Sequence, residues 1–190
     1  EVVAIDKMKG FVPFIDMAYQ GFAEGVEPDG IAPRLFAEAG LDLFVSSSFS
    51  KSFSLYGERV GALSIDAASK DEAARVLSQV KRVVRTNYSN PPTHGGAIVA
   101  AVLASAELRT QWEDELAGMR DRIRAMRTGL VEKLKARNVA QDFSFVAKQR
   151  GMFSYTGLSA EQVERLKSEF GIYAVSTGRI CLAALNARNI

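Results

Sequence analysis

A single cysteine, Cys181, and a single histidine, His94, set the first limits on this chain of 190 residues. One thiol cannot close an internal disulfide, so a reducing compartment, the cytoplasm, is expected. One histidine leaves no multi-histidine metal centre, and no metal is expected. Only 5 prolines accompany 15 glycines, which excludes a collagen-like repeat and a generally disordered composition. An excess of one charge is also lacking. The 24 basic and 22 acidic side chains leave +2, too little for the basic face that nucleic acid demands. No apolar run reaches the roughly 18–20 residues of a transmembrane helix, so no membrane partner is expected.

What is present is an ordinary globular composition, 47% hydrophobic, arranged as short apolar runs between amphipathic stretches. Residues 1–10 read as the end of a helix closed by Gly10. Residues 11–16, 42–48 and 60–65 read as strands, with a helical pattern over 30–40, which argues for α/β organisation. Ser69 or Asp71 starts a helix whose apolar face is Ala74, Leu77, Val80 and Val84. After the breaker Ser89-Asn90-Pro91-Pro92-Thr93, helices are expected over 94–104 and about 106–137. Beyond Asn138, residues 143–146, 152–155, 172–175 and 179–183 read as strands. Ser159 with Gln162 forms a capping box for a helix to about Phe170. The expected division is an α/β part over 1–118 and a smaller α+β part over 119–190.

The segment Ser46-Ser47-Ser48-Phe49-Ser50-Lys51-Ser52-Phe53-Ser54 places one lysine among small neutral residues directly after a strand. Strand ends of an α/β sheet are where ligands bind. A partly desolvated lysine there can act as an amine nucleophile and form a Schiff base. The serines and Arg59 offer donors for an anionic group such as phosphate. Each residue also has a plainer reading. Lys51 taken alone is a surface charge, and Asp16 a turn cap. Arg59 after Glu58 is a surface ion pair. Arg85 beside Lys81 and Arg82 is a cation at a helix C-terminus, and Arg179 is the partner of some carboxylate. His94 is structural, Cys181 a small core residue, and Trp112 core packing.

Five ordered segments carry a resemblance that separates these readings. They are Pro13-Phe14-Ile15-Asp16-Met17-Ala18-Tyr19-Gln20-Gly21-Phe22; the serine-rich run through Tyr56-Gly57-Glu58-Arg59-Val60-Gly61; and Arg85-Thr86-Asn87-Tyr88-Ser89-Asn90-Pro91-Pro92-Thr93-His94-Gly95. Gln149-Arg150-Gly151-Met152-Phe153-Ser154 and Ser176-Thr177-Gly178-Arg179 follow. In this wording and order the chain resembles the class I aminotransferases dependent on pyridoxal 5'-phosphate, in their aspartate and aromatic amino-acid branch.

The resemblance implies an α/β, fold-type I structure: the C-terminal part of the large cofactor-binding domain, then the smaller α+β domain. It implies that Lys51 forms the internal aldimine and moves the substrate α proton. It pairs Asp16 with the pyridine nitrogen and Tyr19 with the phenolate oxygen, and gives Ser48 and Arg59 to the phosphate. Arg179 clamps the substrate α-carboxylate. Arg85 crosses to the neighbouring subunit for a distal carboxylate, with Ser89 and Asn90 on the same loop, and Phe153 walls the substrate site. The implied partners are amino acid and 2-oxo acid substrates, with 2-oxoglutarate as acceptor, and a second copy in a homodimer with shared sites. Only the family's second half is matched, so a fragment, inactive alone, is expected. The alternatives are an effector domain of a transcription regulator and an inactive fragment of the enzyme.

Overall fold

In the computed structural model all residues, Glu1–Ile190, are described. They form two compact units, Glu1–Asp114 and Glu115–Ile190. The boundary falls inside one long helix.

In the first unit α1 (Val2–Lys9) ends at Gly10, whose left-handed backbone returns its N–H to the Asp6 carbonyl. β1 (Phe14–Met17) and β2 (Leu43–Ser48) pair in parallel, with α2 (Ile31–Glu38) between them in sequence. β3 (Gly61–Asp66) pairs antiparallel with β2, giving the order β1-β2-β3. The register sets Asp16 beside Ser46 and Ser48 beside Gly61. A Cβ on Gly61 would lie 2.8 Å from the Ser47 carbonyl oxygen, so only glycine lets these strands close here.

Phe22, Phe36, Leu43 and Val99 form the buried apolar set of this unit. α3 (Lys70–Asn87) is capped by Ser69, whose hydroxyl oxygen accepts the Glu72 N–H at 3.2 Å. Its apolar face does not close into a core. Ala74, Val80 and Val84 line an open concavity with Phe44, Leu63 and Ile65, and Leu77 is exposed. α4 (His94–Ala104) follows, then α5 (Ala106–Ala136), which carries the unit boundary.

The second unit buries Leu116 and Ile123 of α5 together with Val146, Val163 and Leu182. β4 (Phe153–Tyr155) pairs antiparallel with β5 (Arg179–Cys181). α7 (Ala160–Phe170) opens with the complete Ser159–Gln162 capping box and closes at Gly171.

Two expected strands are absent. Residues 143–146 belong to a short helix, α6 (Ser144–Lys148). The Asp142 carboxylate accepts both the Ser144 N–H and the Ser144 hydroxyl at 2.8 Å, which starts a helical turn. Four residues alternating Phe, Ser, Phe, Val satisfy either period. Residues 172–175 have no ladder partner; the chain reverses there, with Gly178 N–H on the Val175 carbonyl and Val175 N–H on the Arg179 carbonyl. No helix is long and apolar enough to cross a membrane.

Candidate functional site

Because β1 and β2 run parallel, their carboxyl ends open on the same side of the sheet. Asp16 stands near the end of β1, exposed, and the Ser46 hydroxyl donates to its Oδ1 at 3.1 Å. Past the strand, the Tyr19 ring lies beneath the half-buried Lys51, with Nζ 4.7 Å from the ring centroid. That contact holds the ammonium by its attraction to the ring face. Ser48 ends β2, and its hydroxyl accepts the N–H of buried Ser50 at 3.3 Å. Parallel pairing thus gathers Asp16, Tyr19, Ser48 and Lys51 at one sheet end.

Arg59 follows a short helical turn with a left-handed backbone, φ 52°, and donates to the Tyr56 carbonyl at 3.0 Å. Its sequence neighbour Glu58 instead meets His94 Nδ1 at 2.8 Å. The Glu58–Arg59 ion pair is therefore not formed, and Glu58 pairs with His94 instead. Arg85, Ser89 and Asn90 make a separate exposed group where α3 ends. The Arg85 guanidinium donates to the Ser89 hydroxyl, which lies 3.4 Å from Asn90 Oδ1.

The second unit holds the other two candidates, Phe153 on β4 and Arg179 on β5. The ladder opposes Phe153 to Cys181 and Tyr155 to Arg179, so Phe153 and Arg179 are diagonal neighbours on it. The Arg179 guanidinium carbon lies 4.9 Å from the Phe153 ring centroid, which presents the planar fork over an apolar wall. Gly178 aims this arginine. Its φ of 81° is strained for any other residue, and a Cβ would lie 2.7 Å from the Leu158 carbonyl oxygen. Thr156 secures the same turn by donating its hydroxyl to the Gly178 carbonyl at 2.7 Å.

Four residues that serve this geometry lay outside the sequence reading of the site. Ser46, the partner of Asp16, becomes visible only once strand register is known. Asp29 lies in a Gly-rich segment read simply as loop. Its Oδ2 accepts the N–H groups of Gly21 and Ala23 at 2.8 and 3.0 Å, and Oδ1 those of Glu24 and Gly25 at 2.9 and 3.4 Å. The sequence predicts only core packing for Trp112, yet its indole N–H donates to the Ser52 carbonyl at 2.6 Å. Arg127 on α5 is buried and donates to the carbonyls of Gly151 and Phe153 at 2.7 and 3.2 Å, with Ser154 Oγ at 3.4 Å. Burial pushes this guanidinium below its usual range, and repulsion from Arg150 and Arg124 adds to the effect. An acidic residue shortly after a glycine cluster is a signal that could have found Asp29. A charged residue at core spacing on α5 could have found Arg127.

The family profile for aminotransferase class I and II matches residues 1–190. The aspartate aminotransferase of Pseudomonas aeruginosa is 69% identical over 190 residues, which is 100% of this chain and 48% of that protein. The aromatic-amino-acid aminotransferase of Escherichia coli is 51% identical over 189 residues, again 100% of this chain and 48% of its own length. The crystal structure of an aromatic-amino-acid aminotransferase from Burkholderia pseudomallei, covalently bound to pyridoxal phosphate, superposes with a TM-score of 0.97. It is 73% identical and covers 99% of this chain and 47% of its own. The chain thus spans about half the length of the relatives it matches.

Proposed function

The chain belongs to the class I and II aminotransferases and has their fold-type I α/β architecture, and from that premise we propose that the full enzyme is a pyridoxal-phosphate-dependent aminotransferase for aspartate and aromatic amino acids. The acceptor is 2-oxoglutarate, the working form a homodimer with shared sites, and the location the cytoplasm. Residues 1–118 are the C-terminal part of the large cofactor-binding domain, and 119–190 the small domain. The 190 residues alone, about half the length of the relatives, are inactive. The relatives named above are enzymes, so the effector-domain alternative draws no support from them.

The donor set fits the cofactor. A carboxylate already oriented by a hydroxyl, Asp16 with Ser46, suits a protonated ring nitrogen. The Ser48 hydroxyl and Arg59 suit a phosphate. A half-buried amine over a phenol ring, Lys51 with Tyr19, suits an aldehyde beside a phenolate oxygen. When bound, pyridoxal phosphate supplies a carbonyl for amine exchange and a sink for negative charge at the substrate Cα.

Each protein group then has a defined task. Lys51 Nζ is the amine that carries the cofactor; once displaced by substrate it takes the proton from Cα as a general base. Asp16 keeps the ring nitrogen protonated, and Ser46 keeps Asp16 turned toward it. Arg179 pairs with the α-carboxylate of either substrate, and Phe153 gives its fork a fixed apolar backing. Arg85, with Ser89 and Asn90, serves a distal carboxylate in the neighbouring subunit's site.

The observation that carries the reading is Lys51 at the shared carboxyl end of two parallel strands, within arm's reach of Tyr19 and beside Ser48. Borohydride treatment of the full-length holoenzyme should fix the cofactor to the peptide containing Lys51. Label on another lysine, or no amino transfer from aspartate or phenylalanine to 2-oxoglutarate, would refute it.

A further inference from the structure

The turn that carries Lys51 is gripped by a side chain for which the proposed chemistry has no use. After β2, the Phe53 N–H returns to the Phe49 carbonyl and the Ser54 N–H to the Lys51 carbonyl, both at 3.2 Å. Ser54 has a left-handed φ of 56°. The next peptide plane, between Ser52 and Phe53, has no such local partner for its carbonyl. Trp112, 60 residues further along and near the start of α5, supplies it: the indole N–H donates to the Ser52 carbonyl at 2.6 Å. The indole also stacks on Phe53, with centroids 4.4 Å apart and planes at 19°. Phe53 in turn meets Phe49 edge-on at 5.5 Å. Residues on both sides of Lys51 are therefore held in one aromatic pile, and both peptide planes that follow it are pinned.

An indole nitrogen can only donate, so this bond has one possible sense. Its geometry matters because Lys51 must place one nitrogen at two reacting positions in turn. A displacement of about 1 Å in a reacting group can cost on the order of 10²-fold in rate. Resting on the reading of Lys51 as the cofactor-carrying amine, we propose that Trp112 is a positioning residue: its N–H and its ring fix the direction in which the Lys51 side chain leaves the turn. It touches no reacting atom and acts through the Ser52 carbonyl and the Phe53 ring.

The test uses the full-length protein. Trp112→Phe keeps an aromatic ring and removes the hydrogen bond. In the cofactor-free form, the Phe53 and Ser54 amides should exchange with deuterium about tenfold faster. In the holoenzyme, kcat should fall about tenfold with KM nearly unchanged, and the pH midpoint of the cofactor absorption band should move. Loss of melting temperature with unchanged kcat, pH midpoint and local exchange would reduce Trp112 to packing and overturn the proposal. Should Trp112→Phe not fold, benzothienylalanine at the same position keeps the indole shape and lacks only the N–H. Wild-type behaviour of that protein overturns the proposal; the same slowed turnover and faster exchange supports it. Borohydride labelling away from Lys51 in the wild type would instead sink the functional reading, so the two failures are distinguishable.

Discussion

In the first unit Asp16, Tyr19, Ser48 and Lys51 are placed by backbone pairing of β1 with β2 and by aromatic contacts around the lysine turn. In the second, Phe153 and Arg179 ride on a two-stranded ladder held from beneath by one buried cation, Arg127. The difference extends to the cores. The smaller second unit buries five apolar side chains, Leu116, Ile123, Val146, Val163 and Leu182. The larger first unit buries only four, Phe22, Phe36, Leu43 and Val99. A short ladder cannot hold itself, so the second unit needs a dedicated anchor. The lysine turn is instead anchored mainly by its own neighbours, with Trp112 as the added grip.

The two arginines of the candidate site offer the sharpest way to break this comparison. Arg179 in the second unit should serve every substrate, and Arg85 in the first only those with a second carboxylate. Breaking one side of a desolvated charge pair costs about 3–5 kcal/mol, which is roughly two to four decades in kcat/KM. Arg179→Leu in the full enzyme should therefore lose that much with both aspartate and phenylalanine. Arg85→Leu should lose it with aspartate and far less with phenylalanine. Equal losses for Arg85→Leu would return that residue to the role of a helix-end cation. Mixed dimers of a Lys51 variant and an Arg85 variant should regain some aspartate activity if Arg85 acts across the interface.

A change confined to the anchor comes next. Arg127→Met removes the charge-assisted hydrogen bonds to the half-buried Gly151 and Phe153 carbonyls. Hydrogen bonds to a charged group contribute about 1.5–3 kcal/mol each, so the loss of two should lower stability of the second unit by about 3–6 kcal/mol in denaturant titration of the full protein. The absorbance of cofactor bound at Lys51 should change little. A large change there with intact stability would show that the anchor serves the first unit.

The smallest effect concerns acid. Hydrogen bonds from the Ser144 backbone and then from its hydroxyl hold the Asp142 carboxyl below its usual range. A carboxyl with a lowered folded-state pKa adds stability above its unfolded value, and that contribution is lost as pH falls through the lowered one. The start of α6 should therefore loosen only below about pH 4. An NMR titration should show the Ser144 signals following the Asp142 carboxyl, and Asp142→Asn should abolish that dependence.

Helix ends were the most legible part of the fold, because Gly10, Ser69, Ser159 with Gln162, and Gly171 act on backbone groups within a few residues of themselves. Residues 143–146 and 172–175 differ from the expected strands because four-residue apolar runs carry no decisive period; Asp142 and the reversal at Gly178 settle their conformation. At the site, Lys51, Asp16 and Tyr19 stood out through their segments' wording. Ser46, Trp112 and Arg127 did not, since each acts on a residue 24 to 60 positions away; only Arg127 carries a local sign, a charge at core spacing on its helix.

Asp29 carries a consequence of another kind. Its two oxygens collect the N–H groups of Gly21, Ala23, Glu24 and Gly25 and ask nothing of the side chains those residues bear. The shape of the stretch after Tyr19 is therefore lodged in one carboxylate outside it, and four residues owe their conformation to a fifth. Across descendants of this gene, Asp29 should stay unchanged wherever that shape is kept.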